Sequence, residues 1–121
     1  QHLYPAGDLY RHHALIAGAS DWPVSSPNPL LAIYTAVTRM GEMGELPPTS
    51  EKMHREAMLQ AYTLNAAKVI GRDKEIGSIE AGKSADFAVF DRNLENVSIE
   101  KLRDAKVVWT MFEGKQVYPA Q

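Results

Sequence analysis

The sequence contains no cysteine. Disulfides, thiolate metal ligands and cysteine nucleophiles are therefore excluded, and the composition suits a reducing compartment, so we expect a cytoplasmic protein. No apolar run approaches the roughly 18 residues of a membrane-spanning helix, and we predict no membrane association. The first residues lack the charged and apolar regions of a signal peptide. The absence of a starting methionine is compatible with a fragment, a processed chain or a trimmed one.

An excess of charge of one sign is also missing. The chain has 13 lysines and arginines against 15 aspartates and glutamates, for a net charge of −2, and the basic residues do not cluster. A nucleic-acid-binding surface requires a basic stripe, so we predict no nucleic-acid partner. The 121 residues are 45% hydrophobic and 23% charged. These values are typical of a globular domain or of part of a larger one.

The N-terminal half predicts a strand and a first helix. Residues 14–18 are apolar throughout, which is typical of a parallel strand buried on both faces. Asn28 is a suitable N-cap and Pro29 a suitable first helical residue. An apolar stripe at helical spacing follows, at Leu30, Ile33, Tyr34, Val37 and Met40. We expect Gly41 and Gly44 to end this helix.

A second helix is predicted after the prolines at 47 and 48. Thr49 or Ser50 is expected to cap it, and its apolar face extends to about Ile70. Gly71 is expected to end it.

After Ile76 the pattern changes to that of strands. A short strand and turn is predicted at 76–82, and a buried strand at Phe87–Phe90. A helical turn is expected at Ile99–Arg103, followed by a hairpin. Its strands are Val107–Phe112 and Lys115–Tyr118, with the turn at 113–114. One strand, two helices and several further strands do not complete an α/β unit.

Asp21 is the main candidate functional residue, because it lies just beyond the end of the predicted strand. Active sites in barrels of alternating strands and helices form at the carboxyl ends of the strands. A carboxylate there can bind a metal and accept a proton. Trp22 could form a pocket wall, and Pro23 stiffens the exit from the strand. A plain turn or cap role for Asp21 is equally compatible with the residue type.

The four histidines are weaker candidates. His12 and His13 are adjacent, so their side chains point in different directions on any regular element. His2 and His54 are not spaced as paired ligands. We expect all four at the surface or outside a metal's direct ligands. A zinc site requires about three or four ligands, which this sequence does not supply at recognisable spacing.

Three stretches together resemble the amidohydrolase superfamily. The first is AGASDWPV at 17–24, followed by PLLAIYTAVTR at 29–39. The second is AYTLNAA at 61–67, and the third is GSIEAGKSADFAVFD at 77–91. A softer similarity covers 107–117. The order and spacing of these stretches resemble amidohydrolase family 3, the YtcJ-like metal-dependent hydrolases, over essentially the whole chain.

The resemblance implies an α/β fold that is the C-terminal fragment of a metal-dependent hydrolase. Residues 1–72 would be the end of a (β/α)8 barrel, with strand 8 and the helices that follow it. Residues 73–121 would form the C-terminal half of a small β-sandwich. The His-x-His motif of the family's first strand and its other ligands are absent from this sequence.

The resemblance also implies an activity. Asp21 matches the family's carboxylate after strand 8, which contacts the metal and accepts a proton from the attacking water. Trp22 and Pro23 would line the substrate pocket, while Asn65 is expected to tie its helix to its surroundings by hydrogen bonds. The parent would use zinc or another divalent metal to hydrolyse a non-peptide carbon–nitrogen bond of a small amide or cyclic amide. The chain alone is expected to bind no metal tightly and to be inactive.

Two other functions remain open. Some relatives in this branch are described as regulators of exoenzyme production, so the chain could be a non-catalytic regulatory or interaction module. It could also be a structural domain without a partner. A strand with unpaired edges favours association between chains, and we therefore predict self-association.

Overall fold

The computed structural model describes residues 3–119. Its regular elements are α1 (Ala6–Arg11), α2 (Pro29–Thr38), β1 (Met40–Gly41), β2 (Gly44–Glu45), a 3-10 turn (Thr49–Glu51), α3 (Arg55–Ala61), α4 (Leu64–Val69), β3 (Phe87–Phe90), α5 (Ile99–Arg103), β4 (Val107–Phe112) and β5 (Lys115–Tyr118). None of the helices between residues 3 and 119 has the length and hydropathy needed to cross a membrane.

The start of α2 confirms the sequence prediction. The side chain of Asn28 accepts a hydrogen bond from the backbone N–H of Leu30 at 3.0 Å, and Pro29 is the first helical residue. This cap satisfies one of the N–H groups that a helix start leaves without an intrahelical partner.

Helix α2 ends close to the predicted position, but at Arg39 and not at the glycines 41 and 44. The helix stops at Thr38, and Arg39 follows in the left-handed conformation with φ 62°. The guanidinium of Arg39 is buried and donates to the backbone carbonyls of Leu3, Tyr4, Leu46 and Pro47. These contacts stabilise a backbone conformation that is unfavourable for a residue with a Cβ. Met40 therefore lies outside the helix, in the two-residue ladder of β1 with β2.

The predicted second helix is divided into three parts. Thr49–Glu51 forms only a 3-10 turn, with neither Thr49 nor Ser50 acting as the cap of a long helix. The helix proper is interrupted between α3 and α4 at Thr63, whose φ and ψ are −126° and −98°. The Thr63 hydroxyl donates to the Leu59 carbonyl at 2.8 Å, a local contact that competes with regular helix bonding. Gly71 follows α4 with φ 71°, as expected of a residue that ends a helix.

The C-terminal strands confirm the prediction except at 76–82. Strands β3, β4 and β5 form an antiparallel sheet in that order, with Phe87 opposite Met111 and Phe112 opposite Lys115. The turn residues 113 and 114 both have positive φ, as a two-residue hairpin turn requires. In residues 76–82 the predicted turn is present at 81–82, but 76–80 are bends and irregular chain in place of the predicted strand.

A loop held by Lys83 takes the place of the predicted strand. Its ammonium donates to the Asp73 carbonyl at 2.6 Å and to the Ser78 hydroxyl, and the Ser84 N–H donates to the Glu75 carbonyl. These contacts close residues 73–84 into a loop, and no strand among residues 3–119 pairs with 76–82.

The predicted strand at 14–18 is also not formed. Among residues 3–119 no strand lies beside this segment, which has no regular secondary structure. Its burial nevertheless alternates, because Ile16 and Gly18 are partly buried whereas Leu15 and Ala17 are exposed. This period of two is that of an extended chain covered on one side only. The prediction of burial on both faces is therefore wrong.

The hydrophobic core lies where α2, α3 and α5 meet. Its buried members are Leu30, Ile33, Met53, Ala57, Met58, Ala61 and Leu102. Leu102 belongs to α5, far along the chain, and it is fully buried together with Ile33. Burial of one such side chain stabilises the fold by about 1.5–3 kcal/mol.

Candidate active-site segment

Asp21 lies at the start of a turn that follows the irregular segment. Its backbone is left-handed, with φ 53°, and its carbonyl accepts from the N–H of Val24 at 2.9 Å. Ser20 supports the same turn, since its hydroxyl accepts from the Trp22 N–H and its carbonyl accepts from the Ser25 hydroxyl. Aspartate tolerates left-handed backbone better than most residues. The carboxylate is on an exposed residue and is accessible to a ligand.

The segment before Asp21 is held by the corner between α3 and α4. The side-chain amide of Asn65 donates to the Ile16 carbonyl at 2.9 Å. The N–H of Gly18 donates to the Ala61 carbonyl, also at 2.9 Å. The expectation that Asn65 ties its helix to its surroundings is confirmed.

Tyr62 adds a close contact to the same corner. Its ring packs directly on Gly18, where an added Cβ would lie 2.4 Å from the nearest ring carbon. Its hydroxyl donates to the Ala19 carbonyl at 3.4 Å, which is a weak hydrogen bond. Partial burial raises the pKa of Tyr62. The sequence analysis missed this contact, although a glycine inside an apolar run is a known sign of close approach.

Trp22 and Pro23 line an open groove of about 1090 Å³. Trp22 is 68% exposed, and Tyr34, Arg39 and Met53 are also among the lining residues. Asp21 is next to this groove in sequence but does not belong to its lining. The assignment of Trp22 and Pro23 to a substrate pocket therefore stays a prediction.

Three of the histidines lie within the described residues, and all three are exposed, as expected. The Nε2 atom of His12 is 3.8 Å from the carboxylate of Asp8, and the ring of His54 lies 6.4 Å from that of Tyr10. His2 lies outside the described residues. Within 3–119, no three His, Asp or Glu side chains form a group that could hold a metal ion.

The chemistry of the Asp21 side chain suits a divalent metal. Asp21 offers a hard oxygen donor on an exposed turn, which suits one ligand position of zinc or of a similar ion. A full site requires about three or four such donors. The carboxylate of Asp21 has the chemistry of one such donor, and its assignment as a metal ligand stays a prediction.

Comparison with known proteins identifies the family. The amidohydrolase family model matches residues 1–118, so the chain belongs to the amidohydrolase family. It is 37% identical over 118 residues to Protein LONG AFTER FAR-RED 3 of Arabidopsis thaliana, covering 92% of this chain and 19% of that protein. It is 33% identical over 112 residues to N-substituted formamide deformylase of Arthrobacter pascens, covering 93% and 21%.

A solved structure agrees with this assignment. The crystal structure of an amidohydrolase from Thermotoga maritima MSB8 has a TM-score of 0.70 and 27% identity, covering 93% of this chain and 25% of that one. The predicted family and the mixed helix-and-strand fold are confirmed. The division into a barrel end at 1–72 and a sandwich half at 73–121 stays a prediction. The chain spans about a fifth of the length of the curated relatives it matches.

Proposed function

We propose that this chain is the C-terminal part of a metal-dependent amidohydrolase that hydrolyses a non-peptide carbon–nitrogen bond of a small amide or cyclic amide. The observation that carries the proposal is the match of residues 1–118 to the family, together with an exposed carboxylate at the end of an anchored segment. The name of the A. pascens relative describes removal of a formyl group from an N-substituted formamide, which is a reaction of this class.

Asp21 would perform two tasks in this reaction. A divalent metal, when bound, supplies the Lewis acidity that makes water nucleophilic near neutral pH. One carboxylate oxygen of Asp21 would contribute to holding that metal. Asp21 would also accept the proton of the attacking water and later donate it to the leaving nitrogen. Trp22 and Pro23 would limit the space beside the carboxylate and so orient a small substrate.

Within residues 3–119 Asp21 is the ligand position that we propose, and the other donors would come from elsewhere in the polypeptide. We therefore expect the 121-residue chain to retain little metal and to have no hydrolytic activity by itself.

The first test measures metal content. The chain is incubated with zinc, desalted and measured by mass spectrometry for metal, alongside Asp21→Asn and the control Glu95→Gln. Glu95 is an exposed carboxylate in a loop, so both variants remove one negative charge from the surface. We expect far less than one equivalent in all three. Near-stoichiometric zinc that is lost only in Asp21→Asn would show that the chain contains a complete site.

The second test uses the complete polypeptide that carries this sequence, with an N-substituted formamide and a cyclic amide as substrates. Asp21→Asn is expected to lower turnover by roughly 10²–10⁴-fold, the usual contribution of a positioned proton acceptor, while Glu95→Gln is neutral. Unchanged turnover in Asp21→Asn would overturn the assignment. A complete polypeptide that holds no metal and hydrolyses neither substrate would favour the regulatory module instead.

A further inference from the structure

The position of Asp21 depends on contacts made several residues earlier. Within the described part of the chain, no strand pairs with residues 14–20, so the backbone that leads to Asp21 has no ladder to fix it. Ile16, Gly18 and Ser20 are nevertheless the partly buried members of the run, and the first two contact the corner between α3 and α4. That corner is therefore the element that can determine where Asp21 lies.

Two hydrogen bonds between the segment and the corner take the place of backbone pairing with a neighbouring strand. The Asn65 amide reaches the Ile16 carbonyl, and the Gly18 N–H reaches the Ala61 carbonyl, each at 2.9 Å. The two bonded residues of the segment are two apart, which is the spacing at which an extended chain presents successive groups to one side. The Asn65 side chain thus acts where the backbone N–H of a neighbouring strand would otherwise donate.

Tyr62 fixes the segment from the same direction. Its ring fills the space that any side chain at position 18 would require, and its hydroxyl reaches the carbonyl of Ala19, two residues before Asp21. The turn at Asp21 is then built directly on this anchor through the contacts of Ser20. Displacement of the corner would move the carboxylate with it.

We propose that Asn65 and Tyr62 are positioning residues that set the location of the Asp21 carboxylate for hydrolysis. The proposal rests on the proposed function of Asp21, and it gives Asn65 and Tyr62 a role that acts through the position of Asp21. Because an error of about 1 Å in such a group can cost on the order of 100-fold in rate, loss of the anchor is expected to reduce turnover strongly.

The first experiment detects the anchor itself. Asn65→Asp keeps the size of the side chain but removes the N–H donor, and the exposed Asn96→Asp is a control with the same charge change. Amide hydrogen exchange is measured by NMR in the 121-residue chain. We expect exchange of the Gly18 amide to accelerate by roughly five- to tenfold in Asn65→Asp, the usual effect of one lost hydrogen bond, and not in Asn96→Asp.

The amide of Ile33 in the core distinguishes anchoring from general stability. It is expected to exchange at nearly the same rate in all three chains. Unchanged Gly18 exchange would overturn the proposal. Equal acceleration at Gly18 and Ile33 would also overturn it, because Asn65 would then support the fold as a whole.

The second experiment measures kcat and KM in the complete polypeptide, with zinc retention against a chelator as a readout independent of turnover. Asn65→Asp is expected to lower kcat at least tenfold with KM within about threefold, and to weaken zinc retention. If Asp21→Asn abolishes turnover while Asn65→Asp leaves both kcat and zinc retention unchanged, positioning by Asn65 is wrong. If Asp21→Asn retains full turnover, the proposed function fails, and the exchange of Gly18 still reports separately on the anchor.

Discussion

Replacing Gly18 by alanine tests the contact on which the active-site segment depends. The φ of Gly18 lies outside the left-handed region, so the backbone accepts an alanine without strain. The added Cβ would, however, lie 2.4, 2.5 and 2.7 Å from three carbon atoms of the Tyr62 ring. Real Cβ atoms do not approach other atoms so closely, and the ring or the segment must therefore move.

Two opposing contributions determine how Gly18→Ala changes the free energy of unfolding. Forcing an extra methyl group into a packed contact costs about 1–3 kcal/mol. Alanine also restricts the unfolded chain, which stabilises the folded state by about 0.4–1 kcal/mol. Taking the midpoints, Gly18→Ala should lower the free energy of unfolding by about 1.3 kcal/mol.

Removing the Tyr62 ring should reverse the sign of the effect that Gly18→Ala has on the free energy of unfolding. In a Tyr62→Ala background the three ring carbons that the Cβ would meet most closely are gone, so Gly18→Ala should raise the free energy of unfolding by about 0.4–1 kcal/mol. Gly41→Ala is the matched control, because its Cβ would meet its nearest neighbours at 3.9 Å and its φ is likewise outside the left-handed region. It should be neutral or slightly stabilising in both backgrounds.

The assay is urea unfolding of the wild type and of the single and double variants. The coupling energy between positions 18 and 62 is obtained from the double-mutant cycle, in which contacting residues are expected to be non-additive by about 0.5–3 kcal/mol. A neutral Gly18→Ala, or the same loss with and without the Tyr62 ring, would refute the reasoning.

Three further predictions concern stability. Arg39→Met should lower the free energy of unfolding, measured with urea, by about 2–4 kcal/mol, since several carbonyls lose a buried donor. Arg39→Lys should restore only part of that stability, because an ammonium cannot span the same acceptors. Asp86→Ala should cost about 1 kcal/mol in the same assay by removing the 2.7 Å acceptor of the Glu113 N–H at the hairpin turn. The hydrogen bond from Arg92 lowers the pKa of Asp91 to about 2. Since this folded-state pKa lies below the unfolded value, the stabilisation exists above about pH 4 and is lost as the pH falls toward 2. The difference in melting temperature between wild type and Asp91→Asn should therefore shrink over that range, and a constant difference would contradict it.

Those parts of the fold that depend on neighbouring residues were predictable from the sequence. The start of α2 follows from the Asn28 side chain and from Pro29, and both act within one helical turn. The hairpin of β4 and β5 follows from two turn residues between strand-like runs. In each case the deciding contacts lie within a few positions, which is the range that a sequence pattern can report.

The remaining elements are determined by contacts across the sequence. The end of α2 depends on the contacts of Arg39 with Leu3 and Tyr4, about 35 positions earlier. The predicted strand at 14–18 requires a neighbouring strand, and in its place the corner at Asn65 covers one side. No local pattern indicates either partner.

The candidate site likewise combines features that follow from the local sequence with contacts between distant residues. The order of apolar run and carboxylate identified Asp21 as a candidate, and the structure adds that its backbone is left-handed and its residue exposed. What holds it in place could not be read from residues 14–24, because the Asn65 donor is 49 positions from its acceptor. A side chain used for anchoring has the same sequence signature as one used for capping or for solubility.

The motifs of the family resemblance therefore differ in what they do. In the second motif, Asn65 and Tyr62 bind the segment before Asp21. In the third, Lys83 closes the loop at 73–84, and Asp86 accepts from the backbone of the hairpin turn. Each of these side chains joins segments that are separate in sequence. Substitutions in the third motif should thus change stability without a specific effect on turnover, whereas those at Asn65 should change turnover through the position of Asp21.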